Sequence, residues 1–190
     1  ERRVGDQASR AVLLGLAKET VIEVLIDEAR VASGGRTPPA IVLLPSSMRD
    51  AHDLQTLASQ LAGAGFCVLR PQPPGMGGST APTTDLTLYK LAHDVAQTIN
   101  VLGNGRAIVA GHAWGHFVAR VTDLEHPQCV RGVVVIAGAA RTFPAGLTRA
   151  LDIAADAAQP RGLRLAALQQ AFFAPGHDAS PWLAGWHPHL

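Results

Sequence analysis

Five consecutive residues have the types and spacing of a reactive turn: Gly111-His112-Ala113-Trp114-Gly115. A short apolar run, Ala107-Ile108-Val109-Ala110, precedes them, and a segment of helical character reaching about His126 follows. A strand that turns straight into a helix holds the residue at the turn in a strained conformation, its side chain raised from the sheet. The residues two before and two after must be small, because strand and helix nearly touch there; Gly111 and Gly115 meet that demand. The backbone N–H of Trp114 then opens the helix and can face a developing oxyanion. A hydroxyl or carboxylate at the centre would be a nucleophile. The residue there is Ala113, and a methyl group is no nucleophile, so covalent catalysis through this position is excluded.

The other chemistry-bearing residues say less. His116 opens the following helix and is a candidate substrate-binding side chain, although lone helical histidines are mostly solvated or packed. His112 is read as a packing residue beneath the turn. Arg49, His52 and Asp53 read as helix capping and a solvated face, and His93 and Asp94 as a surface helix. His187-Pro188-His189 would hold a metal only with partners that no motif identifies, so no metal is expected. Gly75-Met76-Gly77-Gly78 lacks the Lys-Ser/Thr of a phosphate loop, and no cofactor is implied. Trp114, Trp182 and Trp186 with Phe172 and Phe173 fit an apolar pocket wall and lid better than a base-stacking platform.

The elements that must position the turn follow from apolar patterning. Runs at 21–26, 40–44, 66–69, 107–110 and 130–137 read as strands, and Ala40-Ile41-Val42-Leu43-Leu44 is apolar on both faces, as a central parallel strand is. Helices are expected at about 51–64 (capped by Asp50 or Ser47), 85–102 and from the turn to His126, then at 145–158 and 163–173. Ala11 to Ala17 reads as a short amphipathic helix, Ser33 to Pro39 as a turn-rich break, and Arg70 to Ser79 as a long loop. No β signal follows residue 178. Strand–helix alternation of this kind predicts an α/β fold: a mostly parallel sheet flanked by helices, with a core at 1–138 and a helical segment at 139–190.

The chain has 190 residues, a formal charge of +1 and 16% charged residues, which excludes the electrostatic footprint of a nucleic-acid or anionic-membrane binder. No stretch reaches the roughly 18 apolar residues of a membrane span. Cys67 and Cys129 sit in or beside apolar runs and read as small buried hydrophobes. A cytoplasmic location is expected, with secretion the alternative. The chain opens with Glu rather than Met, so its natural start is expected elsewhere.

These features resemble the α/β-hydrolase fold superfamily over roughly Val21 to Ala137. Leu43-Leu44-Pro45 corresponds to the strand before the family's oxyanion loop, and Arg70 to Ser79 resembles its Pro-Asp-x-x-Gly-x-Gly-x-Ser loop. Gly111 to Gly115 corresponds to the nucleophile elbow, and residues 139–190 to the start of the helical cap. The resemblance implies a hydrolase for an ester, epoxide or similar small apolar substrate, with backbone oxyanion donors from Ser47 and Trp114 and substrate contacts from Ser46 and His116. It also exposes departures. Ala113 stands where hydrolases carry Ser, or Asp in a Gly-His-Asp-Trp-Gly context among epoxide hydrolases and haloalkane dehalogenases. Pro45-Ser46-Ser47 replaces the usual His-Gly. The family's catalytic acid and histidine follow two further strands, expected beyond Leu190. Whether Ala113 is engineered or natural stays open, as do a non-catalytic ligand-binding homologue, a cofactor-free lyase or oxygenase, and a homo-oligomer.

Overall fold

The apolar runs pair into one sheet in the computed structural model, which describes residues 9–16, 20–29, 37–80, 84–138, 142 and 144–188. Its strands are β1 (Arg10–Gly15), β2 (Val21–Asp27), β3 (Ala40–Leu44), β4 (Cys67–Pro71), β5 (Ala107–His112) and β6 (Val130–Ile136). They lie in the order β1-β2-β4-β3-β5-β6. The pairs β4–β3, β3–β5 and β5–β6 are parallel, whereas β2 runs antiparallel to both β1 and β4. All five residues of β3 are buried, as a run apolar on both faces requires.

Alternation along the strands sorts side chains to two faces. Val42, Leu44 and Val109 pack with Val95 and Ile99 of α2 (Leu88–Leu102) and with Val118 and Ala119 of α3 (Gly115–Glu125). On the opposite face Ile41, Leu43, Val68 and Ala110 meet Leu57, Ala58 and Leu61 of α1 (Gln55–Gly63). Each fully buried valine or leucine in these clusters contributes about 1.5–3 kcal/mol of transfer free energy. The result is a mostly parallel sheet covered by helices on both sides, as the strand–helix alternation predicts.

Three local expectations are corrected. Residues 10–15 form a strand rather than an amphipathic helix: Val12 and Leu14 pack inward while Leu13 between them is 63% exposed, the period of two of a half-buried strand. Ala17 lies outside the described residues, as do residues 33–36 of the expected break. The helix at 51–64 starts with a 3-10 turn (Ala51–Leu54), and α1 proper begins at Gln55, with Leu54 at its N-cap and no side-chain bond there. Gln72 instead satisfies this region, its Oε1 accepting the Ala51 N–H at 3.0 Å. α2 begins at Leu88, where the Thr87 hydroxyl caps the Lys90 N–H at 3.2 Å.

Arg70 is wholly buried. Its Nε and Nη2 donate to Asp27 Oδ2 at 3.1 and 2.9 Å, Nη1 to the Ala51 carbonyl at 2.8 Å, and Nη2 also to Gln55 Oε1 at 2.6 Å. One guanidinium thereby joins β2, β4, the 3-10 turn and α1.

The chain divides into two units: residues 1–47 with 51–138, which hold the sheet, and residues 48–50 with 139–190. The second contains α4 (Ala145–Ala155), α5 (Arg161–Phe172) and a 3-10 turn at Ser180–Leu183. Its core joins Ala154, Leu168 and Ala179 to Phe173, Trp182 and Trp186. Among the described residues no helix is long and apolar enough to cross a membrane.

Candidate active site

Strand β5 passes directly into α3 through Ala113, whose φ of 47° lies in the left-handed region. For an L-residue that conformation costs about 1–2 kcal/mol, so the surroundings must impose it. They do so from both sides. The Ala113 N–H donates to the Ile136 carbonyl of β6 at 2.9 Å, and the His116 N–H donates back to the Ala113 carbonyl at 3.2 Å. A Cβ on Gly111 would run into the backbone of Gly115 and His116, and one on Gly115 would strike the carbonyls of Leu44 and Pro45. The two small residues thus let strand, helix and the end of β3 meet. Trp114 is helical, with φ −57°, at the N-cap of α3, and its side chain is 41% exposed.

Ser46 and Ser47 are half-buried in the loop leaving β3. Leu44 pairs with Gly111, and Gly115 sits on the Leu44 and Pro45 carbonyls, so this loop and the Trp114 backbone lie at one carboxyl end of the sheet. Open α/β sheets take ligands at that end. Ala113, Trp114, Ser46 and Ser47 are therefore brought together. His116 is 2% exposed, its ring packs on Phe117 at 4.0 Å between centroids, and it would be crowded by a Cβ at Gly138, just after β6. Neither of its ring nitrogens has a hydrogen-bond partner among the described residues.

His112 shares a face with Ile108 and Ala110, the side that carries α1. Burial pushes its pKa below the ordinary 6.5, and the Asp53 carboxylate in the 3-10 turn pulls it partly back. Asp53 is thus coupled to the residue before the turn rather than standing only on a solvated face. His52 Nδ1 lies 3.2 Å from the Gln72 amide nitrogen. Gln72 occupies the Asp position of the Pro-Asp-x-x-Gly-x-Gly-x-Ser pattern, and its carbonyl accepts the Ser79 hydroxyl at 2.9 Å. Both thiols are free, and burial raises the pKa of each. His189 lies outside the described residues, and among those described no group of three His, Cys, Asp or Glu could hold a metal.

Reading the sequence alone missed Arg49. It is 3% exposed, and its guanidinium lies 4.8 and 4.7 Å from the ring centroids of Trp182 and Trp186. Those indoles pack within the second unit, around a cation. The available signal was weak: two tryptophans four residues apart flanking Ala184-Gly185, with nothing to link them to residue 49.

The sequence model describing the α/β hydrolase fold matches residues 39–185. The chain belongs to the α/β hydrolase fold family. It is 27% identical over 126 residues to epoxide hydrolase A of Mycobacterium tuberculosis, covering 65% of this chain and 39% of that protein. It is 37% identical over 75 residues to bifunctional epoxide hydrolase 2 of Sus scrofa, covering 38% of this chain and 14% of that protein. Among solved structures a hydrolase from Pseudomonas aeruginosa superposes with a TM-score of 0.64 at 23% identity, over 91% of this chain and 61% of that one. The chain therefore spans well under half the length of these two curated relatives. In this α/β hydrolase fold protein, residues 111–115 join β5 to α3 with Ala113 at φ 47°.

Proposed function

We propose that this chain carries the elbow of an α/β hydrolase of the epoxide-hydrolase lineage, at which a small apolar epoxide or ester binds without covalent attack by residue 113. The observation that carries the reading is the turn itself: Ala113 is held at φ 47° between two glycines that cannot bear a Cβ, yet offers only a methyl group. The backbone N–H groups of Ser47 and Trp114 are the donors proposed for the ligand oxygen, and Ser46 lines the same loop. The epoxide-hydrolase relatives favour an epoxide over an ester. Residues 139–190 occupy the cap position in the family's chain order, and two free thiols suit a reducing, cytoplasmic location.

The missing step can be restored on paper with its atoms balanced. A carboxylate at position 113 attacks one epoxide carbon; that C–O bond breaks, an ester forms, and the ring oxygen leaves as an alkoxide that takes a proton from water or a donor. Hydrolysis of the ester then needs a general base. Incubation of Ala113→Asp with styrene oxide is therefore expected to add one styrene oxide per chain, localised to residue 113 by intact-mass and peptide mass spectrometry. The unsubstituted chain should gain none there. Labelling of the unsubstituted chain at the same rate overturns the proposal, as does a folded Ala113→Asp chain that stays unlabelled.

A further inference from the structure

Trp182 and Trp186 are anchored from within residues 139–190. The 3-10 turn that carries Trp182 starts on Asp178, whose carboxylate accepts the Ser180 N–H at 2.8 Å and the Ser180 hydroxyl at 2.7 Å. Arg164 of α5 donates from Nε to the Ala154 carbonyl of α4 at 2.9 Å and from Nη2 to the Leu183 carbonyl at 2.7 Å. Phe173 meets Trp182 edge to face at 5.5 Å. The Trp186 indole N–H donates to the Trp182 carbonyl at 2.6 Å, with the two indoles edge to face at 6.4 Å.

Against this frame lies a segment from far away in sequence, Met48-Arg49-Asp50, which belongs to the same unit. It is held at three points. Its main chain adds as a short strand: Arg49 and Trp186 form an antiparallel bridge, and the carbonyl of Met48, a left-handed bend at φ 57°, accepts the His187 N–H at 2.9 Å. Its guanidinium stands over both indoles and donates from Nη1 to the Ala184 carbonyl, while Gly185, at φ 76°, lays a bare backbone beside it, where a Cβ would stand 3.3 Å from Nη2. Its carboxylate closes the set, with Asp50 Oδ2 at 3.5 Å from His187 Nε2. A guanidinium is planar and always charged, so it can stack on two indoles as no ammonium can. Strand addition beside a side-chain pocket is a recurring way of binding an extended peptide: the main-chain bonds supply affinity and the pocket supplies specificity.

We infer that residues 182–187 are a peptide-binding site for an extended Arg-Asp sequence, filled in cis by Arg49 and Asp50. The contacts just described come from six consecutive residues fixed to α4 and α5, and none of them requires the ligand to belong to the same chain. The tethered segment occupies the site at an effective concentration on the order of millimolar or above, so a free peptide competes poorly until Arg49 is removed. The assignment is independent of the chemistry at the elbow.

NMR of the tryptophan indole N–H groups tests this on the full chain, with acetyl-Met-Arg-Asp-amide as the probe. Added to Arg49→Ala at up to about 5 mM, a concentration comparable with that of a tethered ligand, the peptide should shift the Trp182 and Trp186 signals saturably and leave that of Trp114, in the first unit, in place. The same peptide with citrulline for arginine keeps the shape and loses the charge. It should bind on the order of tenfold more weakly, the effect of losing the cation–π contacts. The unsubstituted chain, its site filled, should also bind the arginine peptide on the order of tenfold more weakly than the variant does. Arg49→Gln replaces Arg49→Ala should the latter fail to fold, with the same pattern expected. Absence of a saturable shift at Trp182 and Trp186 in the variant, equal binding of the citrulline peptide, or equal binding by the unsubstituted chain overturns the assignment.

Discussion

At Ala113 the backbone keeps a conformation from which its own side chain gains nothing. A left-handed alanine costs about 1–2 kcal/mol, and glycine adopts the same angles freely. Ala113→Gly should therefore stabilise the fold by about 0.5–1 kcal/mol, the relief of strain exceeding the extra entropy of an unfolded glycine. A higher urea midpoint with an unchanged slope checks it, and a lower midpoint would mean that the methyl group packs usefully. One residue earlier, His112 titrates below 6.5 because burial disfavours its charge. Below that pH the unfolded chain takes up a proton that the folded chain resists, so stability falls as pH drops and is flat above. His112→Gln should lessen the loss between about pH 7 and 5. Asp94, whose carboxyl burial pushes above 3.8, acts with the opposite sign, so the comparison runs between variants at each pH.

Among the elements, β4 carries more than its apolar pattern suggests. The expected strand ends at Leu69, yet it is the next residue, Arg70, whose buried guanidinium joins β2, the 3-10 turn and α1. Removing one partner of a buried pair leaves the other charge unmatched, so Asp27→Ala should cost about 3–5 kcal/mol in urea unfolding. A loss below about 1 kcal/mol would show that Gln55 and the Ala51 carbonyl suffice for Arg70. The partners lie 43 residues apart in sequence, and no local pattern announces such a pair. The same limit explains β1. The four consecutive apolar residues Ala11 to Leu14 fit a helix as well as a strand, and only pairing with β2, Arg10 opposite Ile26 through Gly15 opposite Val21, selects the period of two.

For the whole molecule, legibility follows sequence separation. The central strands announce themselves because each is a continuous apolar run, and the 111–115 turn because its two glycines stand beside the residue they serve. Arg49 looked solvated because its aromatic partners stand at the other end of the chain. In β6 the apolar run announces the strand but not its burial: Val134 and Val135 are 46% and 51% exposed on a strand paired, among the described residues, with β5. The caged arginine has a further consequence, for the order of folding. Arg49 and the carbonyl of Ala184 close a loop of 135 residues. The entropy of closing a loop grows only logarithmically, about 0.6 kcal/mol for each doubling of its length, so the contact remains affordable. Contacts of such separation nevertheless form slowly, after shorter-range pairings have assembled. On a chain made from its N-terminus, β1 to β6 can be in register while Arg49 still waits for the two indoles, and the bend at Met48 is then among the last parts of the fold to set.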